Sequence, residues 1–241
     1  MNLNHDIFRE YDIRGIVESD FPNDIVESLG KAFGTYIFRK KGNTISVSGD
    51  IRDTSLNLKN NFIKGLLSVG INVIDIGTLP TPVNYYSMYL LNTDASVQIT
   101  GSHNPPEFNG FKFSCKNQSF YGNQIQELKK MILNQDFDDN VGKLKTKNIL
   151  NDYIEMLCSK ISINKEISIV LDCGNACGCL TAPKTLKKLG VNVKQLYCDV
   201  DCTFPNHHPD PTVDSNLHAL IREVKNGDFD LGMAFDGDAD R

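Results

Sequence analysis

This 241-residue chain contains no apolar run approaching the roughly 20 residues that a membrane-spanning helix needs. A membrane partner is therefore not expected. Basic charge is equally scarce: 25 Lys and Arg face 30 Asp and Glu, for a net charge of −5. The basic stripe of a nucleic-acid binder is missing, so no nucleic-acid partner is expected. An anionic substrate must then be held by local cations, because the overall field slightly repels it. Met1 to Glu10 shows no basic region followed by an apolar core, the mark of a secretion signal. The seven cysteines are odd in number and too sparse for a disulfide framework, which favours reduced thiols in a cytoplasmic protein. In that compartment the sequon Asn117-Gln118-Ser119 meets no glycosylation enzyme. Cys173, Cys177 and Cys179, with Cys198 and Cys202, lack the clean second pair of a structural zinc site. His207-His208 before Pro209-Asp210-Pro211 reads as a stiff loop that shapes a domain contact rather than as a pair of metal ligands.

What is present is an ordinary globular balance, 40% hydrophobic and 23% charged, with length for one large domain or two of usual size. Short runs rich in β-branched residues predict strands at 44–48, 71–76, 95–100 and 111–115. Apolar residues at helical spacing predict helices at 24–39, 56–69 and 82–91 between them. Leu79-Pro80-Thr81-Pro82 turns the second strand into the third helix. The polar stretch 134–140 places a domain boundary between about 135 and 150. Beyond it the pattern repeats: helix 152–161, strand 167–172, helix 181–189, strand 191–197, helix 215–225 and strand 229–235. The expected fold class is α/β, as two consecutive α/β/α-layer domains with mixed sheets at 1–140 and 148–241. The chain breaks off on a charged loop, so the second domain reads as truncated.

The most informative segment is Thr100-Gly101-Ser102-His103-Asn104-Pro105-Pro106, continuing to Asn109-Gly110-Phe111-Lys112. Functional loops in α/β layers leave the carboxyl ends of strands, and Ser102 comes after the 95–100 strand in that way. Gly101 permits a sharp turn, and Pro105-Pro106 stiffens the rest of the loop, a pattern suited to exposing a hydroxyl. A phosphoserine needs cationic neighbours, which His103 and Lys112 supply. The competing reading is a surface loop with an incidental serine. Acyl hydrolysis is disfavoured, since Thr100 and Asn104 stand where a hydrolase elbow has glycines.

At the other end, Asp236, Asp238 and Asp240 alternate on one loop, with small Gly237 and Ala239 between them. Three carboxylates suit a hard cation such as Mg²⁺, which also keeps phosphate oxygens as ligands. An EF-hand is excluded because Arg241 occupies the sixth loop position, where that motif needs glycine. Arg241 also argues against a merely solvated acidic turn, because a guanidinium suits a phosphate beside the metal.

With both loops in view, the chain resembles the α-D-phosphohexomutase family, in its phosphomannomutase/phosphoglucomutase branch. The likeness rests on Phe8 to Gly15, Thr100 to Lys112, Asp172-Cys173-Gly174-Asn175, Phe204 to Pro211 and Asp236 to Arg241, in the family's order. The resemblance implies that Ser102 is phosphorylated in the active form and that its phosphate joins Asp236, Asp238 and Asp240 around Mg²⁺. It implies that Tyr11, Arg14, His103, Lys112 and Arg241 surround that phosphoserine. The implied reaction passes the phosphoryl group to a hexose 1- or 6-phosphate through glucose or mannose 1,6-bisphosphate. Lys112 is favoured over His103 as the proton shuttle, because a desolvated lysine near other cations loses its proton more readily. The loop forms lean toward mannose or glucose phosphates over glucosamine phosphate without choosing between the first two. A Mg²⁺-dependent phosphatase with an aspartate nucleophile and a catalytically silent phosphosugar-binding fragment are the alternatives. Family members have four domains, with sugar recognition in the third and fourth, so this chain by itself is expected to show little or no mutase turnover. A coupled assay on a preparation limited to these 241 residues tests this, and robust turnover contradicts it.

Overall fold

In the computed structural model, residues 3–116 and 118–241 are described, so the Asn117 sequon lies outside them. The chain forms two units: Met1–Thr78 with Asn84–Asn148, and Leu79–Val83 with Ile149–Arg241. Among the described residues no helix is long and apolar enough to cross a membrane.

The first unit holds strands β1 (Ile13–Ile16), β2 (Thr44–Gly49), β3 (Asn72–Thr78), β4 (Ala95–Ile99), β5 (Phe108–Cys115), β6 (Gln118–Ser119) and β7 (Leu144–Thr146). Its sheet runs β1-β5-β4-β2-β3-β7, with β6 paired to β5. The middle pairs β4-β2 and β2-β3 are parallel, as is β3-β7, while β1-β5 and β5-β4 are antiparallel. The sheet is therefore mixed. The helices are α1 (Val17–Asp20), α2 (Asn23–Arg39), α3 (Asp53–Leu67), α4 (Thr81–Leu90, whose first turn belongs to the second unit) and α5 (Asn123–Asn134).

Alternation along β2 and β4 sets the two faces of this sheet. Ile45, Val47, Val97 and Ile99 enter the main core with Phe33, Phe62, Phe111 and Phe113. Those rings pack closely, Phe33 to Phe113 at 4.7 Å and Phe62 to Phe111 at 5.3 Å between centroids. The opposite residues are polar and equally buried under α4. There Ser46 bonds Ser87 at 2.6 Å, and Asn84 donates to Ser48 at 2.6 Å and to the Val97 carbonyl at 3.0 Å.

The second unit contains α6 (Leu150–Lys160), β8 (Ser168–Asp172), α7 (Ala182–Lys188), β9 (Asn192–Leu196), α8 (His218–Asn226) and β10 (Leu231–Ala234). Its parallel sheet has the order β10-β8-β9. Ile169, Leu171, Cys173, Ala182 and Val191 form its core.

Strands β1, β6 and β7 and the short helix α1 were not expected from the sequence, and two further departures concern longer helices. Helix α5 was not anticipated before the polar stretch, although Ile125, Leu128, Met131 and Ile132 are buried at helical spacing. Its polar majority masks that stripe. The 215–225 helix divides into a 3₁₀ turn at Asp214–Leu217 followed by α8.

Helices α2 and α3 cross in close contact because both present glycine. A Cβ on Gly30 would lie 2.2 Å from the Phe62 carbonyl oxygen, and one on Gly65 would lie 2.1 Å from that of Glu27. Alanine is intrinsically favoured over glycine in a helix by about 1 kcal/mol. Here the backbone overlap outweighs that gain, since overpacking costs about 1–3 kcal/mol or more. Gly65→Ala is therefore expected to lower the urea unfolding midpoint, and an unchanged or raised midpoint contradicts this packing account.

Candidate active site

In the first unit, the chain leaves β4 at Thr100 and turns sharply at Ser102, whose φ is +49°. Left-handed backbone is costly for a residue with a Cβ, so the turn has to be held from outside. The Ser102 amide donates to Thr100 Oγ1 at 2.8 Å. The Gly101 amide donates to Asp50 Oδ2 at 2.9 Å. Arg52 donates from Nη2 to the carbonyls of Ser102 (3.0 Å) and Asn104 (2.6 Å). From Nη1 it donates to those of Pro105 (2.7 Å) and Phe108 (2.9 Å).

Gly101 serves a purpose other than the expected turn. A Cβ there would fall 2.1 Å from Arg52 Cζ, so the glycine lets the loop rest against the guanidinium. The serine is not exposed either; it is 1% accessible. Its Oγ lies 3.2 Å from His103 Nδ1.

Arg14, on β1, is buried and donates to the Thr100 carbonyl at 2.6 Å while pairing with Asp12 at 2.7 Å. It stands at the base of the serine loop. Lys112, half-buried on β5, lies opposite Gln98 of β4, just past the Gly110 carbonyl that accepts from the Thr100 amide. Tyr11 is 75% exposed, and its ring lies 6.2 Å from that of Tyr121. The structure thus brings Arg14 and His103 onto the serine loop, places Lys112 on the adjoining strand, and sets Tyr11 against Tyr121.

In the second unit, the loop after β10 carries the three aspartates with carboxylate oxygens all within 4.8 Å of one another. Asp236 and Asp238 are fully buried. Asp236 Oδ1 accepts from the Asp240 and Arg241 amides at 3.2 and 3.3 Å, which closes the loop. Thr81 holds Asp238 twice, from Oγ1 to Oδ2 at 2.6 Å and from its amide to the Asp238 carbonyl at 2.9 Å. Arg241 Nε lies 3.7 Å from both Asp236 and Asp240. Buried carboxylates this close repel unless a cation joins them, and an all-oxygen donor set suits a hard divalent ion. The residues present fit Mg²⁺.

Beside this loop, the last residue of β8, Asp172, accepts from the Gly174 amide at 2.8 Å and faces His207 Nε2 at 3.0 Å. His207 Nδ1 lies 2.9 Å from the His208 carbonyl. Both ring nitrogens thus face acceptors, an arrangement that suits the imidazolium. The bond to Asp172 raises the His207 pKa above its ordinary value and prevails over burial, and the His208 carbonyl adds to it.

Asp50 and Arg52 were not singled out in sequence; Thr81, Asp172 and His207 were noted within their segments, but not the bond from Thr81 to Asp238 or the pairing of His207 with Asp172. A signal existed for the first two, since Asp50-Ile51-Arg52-Asp53 sets charges directly after a β-branched strand, where α/β loops carry function.

These features define a class: α/β/α-layered proteins whose polar loops leave the carboxyl ends of strands. Within it, the chain belongs to the phosphoglucomutase/phosphomannomutase family, whose α/β/α domain I profile matches residues 5–139 and domain II profile residues 151–241. It is 40% identical to a Pseudomonas aeruginosa phosphomannomutase/phosphoglucomutase over 98% of this chain and 51% of that protein. It is 39% identical to a Neisseria meningitidis phosphoglucomutase over 100% of this chain and 53% of that protein. A crystal structure of a Burkholderia thailandensis phosphoglucomutase/phosphomannomutase family protein superposes with a TM-score of 0.94 at 35% identity, covering 98% of this chain and 54% of that one. The chain spans about half the length of the curated relatives it matches.

The His207 geometry makes stability depend on pH. A histidine whose pKa rises on folding stabilises fully below its unfolded value of about 6.5, and that contribution is lost as pH rises through the higher folded value. The thermal midpoint is expected to fall with rising pH across that window, and His207→Gln to flatten the slope. Identical profiles for the two proteins rule out the imidazolium pairing.

Proposed function

We propose that this chain carries the phosphoserine and acidic-loop parts of a cytoplasmic phosphohexomutase that interconverts the 1- and 6-phosphates of glucose, mannose or both. Residues 1–140 and 148–241 correspond in this reading to the family's first and second domains. The observation that carries it is the serine loop, in which one hydroxyl lies beside a histidine on a backbone gripped by two buried arginines. The relatives are named as mutases but differ in the sugar named, so both hexoses stay within the proposal.

In the proposed cycle, the bond from Ser102 Oγ to phosphorus breaks as the free hydroxyl of a hexose monophosphate forms its own. The hydroxyl proton passes to Lys112, with His103, 3.2 Å from the serine oxygen, as the alternative. The product is glucose or mannose 1,6-bisphosphate, which turns over and returns its other phosphoryl group to Ser102, while Lys112 returns the proton. Little covalent work falls to the protein in such a transfer; its contribution is positioning and charge neutralisation. Arg14 sits at the loop base, where its charge favours the dianion. Tyr11 and Arg241 are assigned to phosphate or substrate binding. Asp236, Asp238 and Asp240 would hold Mg²⁺, which when bound supplies charge neutralisation for the phosphoryl group.

A coupled assay of the natural-length protein on glucose 1-phosphate and mannose 1-phosphate tests the proposal, together with intact mass and peptide mapping. Turnover is expected to need the bisphosphate and Mg²⁺, with one phosphate on Ser102. Ser102→Ala is expected to remove that phosphate and lower kcat by more than about a thousandfold. Phosphate on Asp236 or Asp238 with Ser102 unmodified contradicts the mutase reading and favours a phosphatase.

A further inference from the structure

We infer that Arg52, held by Asp50, is a positioning residue for phosphoryl transfer at Ser102. This rests on the mutase reading above and assigns to a buried ion pair the control of where the serine oxygen sits.

A guanidinium has five N–H donors in a rigid planar fork. Here Nη1 and Nη2 serve four carbonyls of the serine loop, those of Ser102, Asn104, Pro105 and Phe108. The fifth donor, Nε, faces Asp50 Oδ2 at 3.5 Å. Asp50 completes the arrangement from the other side. Its Oδ1 accepts from the Arg52 amide at 3.0 Å and from the Ser55 hydroxyl, and its Oδ2 accepts from the Gly101 amide. Both residues are at least nine-tenths buried. Asn109, at the far end of the loop, is tied to the same start of α3 through Thr54 and Ser55, each at 2.9 Å.

The loop therefore takes much of its shape from one side chain outside it, which adds to the bonds made by its own Thr100 and Asn104. Ser102 in left-handed backbone relaxes once the carbonyl is released, and the side-chain direction turns with it. The proposed cycle loads and unloads a dianion at this hydroxyl, so the backbone must hold its shape in both states. Displacing a reacting group by about 1 Å costs on the order of a hundredfold in rate. Lysine cannot substitute, because an ammonium has three donors on a flexible stem and no fork. Asp50 in turn fixes the roll of the guanidinium through Nε.

The test uses Arg52→Lys and Asp50→Asn in the natural-length protein, with thermal midpoints confirming that each is folded. Arg52→Lys is expected to lower kcat by about a hundredfold while KM for the hexose phosphate stays within about threefold. Asp50→Asn is expected to give the same split at about tenfold, and decides the matter if Arg52→Lys fails to fold. Amide exchange at 101–108 is expected to quicken in both variants while α2 and α3 stay protected. In Arg52→Ala, millimolar guanidinium is expected to restore part of kcat, and ammonium none. An active wild type beside a folded Arg52→Lys that keeps more than half of kcat, or loses only in KM, overturns the positioning role and leaves the mutase reading standing. A wild type with no turnover and no phosphate on Ser102 overturns that reading and this inference with it.

Discussion

A guanidinium has no neutral form to retreat to, so burying Arg52 commits the chain to supplying an acceptor for every donor it carries. The chain does so with carbonyls of the loop that begins at Ser102 and with Asp50. A hydrogen bond to a charged group contributes about 1.5–3 kcal/mol, and an abandoned buried partner costs about as much. With four such bonds the loop and the guanidinium are stable only together. The strained backbone of Ser102, worth about 1–3 kcal/mol, is small beside that total. The unfavourable turn persists because a stronger constraint surrounds it.

Aspartates immediately after strands apply the same device elsewhere. Asp50 comes directly after β2 and accepts the amides of Arg52 and Gly101. Asp172 ends β8 and accepts the Gly174 amide. Asp236 comes two residues after β10 and accepts those of Asp240 and Arg241. A parallel strand ends with amides that the sheet does not pair, and a short carboxylate close by meets them at little entropic cost. Each such carboxylate is itself buried, so each then recruits a cation or hydroxyl: Arg52 and Ser55, His207, and Arg241.

Legibility in the sequence followed the distance over which each signal acts. The serine loop and the aspartate loop were readable because their chemistry is contiguous in the chain. Most strands and helices were readable from periodicity, which is also local. Arg52 was not, because its meaning lies in carbonyls about fifty positions away. Nor was the place of Thr81, which holds Asp238 across 157 positions. The polar residues Ser46, Ser48, Ser96 and Gln98 alternate as a solvent-facing strand edge would, yet all are fully buried. Alternation reports two unlike faces; it cannot report that a helix with its own Asn84 and Ser87 covers the polar one. Gly101 was read as a turn residue because glycine permits turns, whereas its requirement comes from the guanidinium against it.

The two loops are held in shape by different kinds of group, and that difference bears on their chemistry. Around Ser102 the protein matches its own charges, Arg52 with Asp50 and Arg14 with Asp12. The acidic loop is built the other way. Carboxylates within 4.8 Å of one another repel by about 3–4 kcal/mol per pair at an effective dielectric near 20. Arg241 Nε approaches both Asp236 and Asp240 at 3.7 Å, and its own side chain is nearly half exposed. The fold pins Asp236 and Asp238 in that geometry regardless, through backbone amides and Thr81. Holding like charges together costs stability, and the proposed Mg²⁺ site would offset that cost. One loop is thus held by a guanidinium that serves its carbonyls, and the other by amides and a threonine hydroxyl that serve its carboxylates.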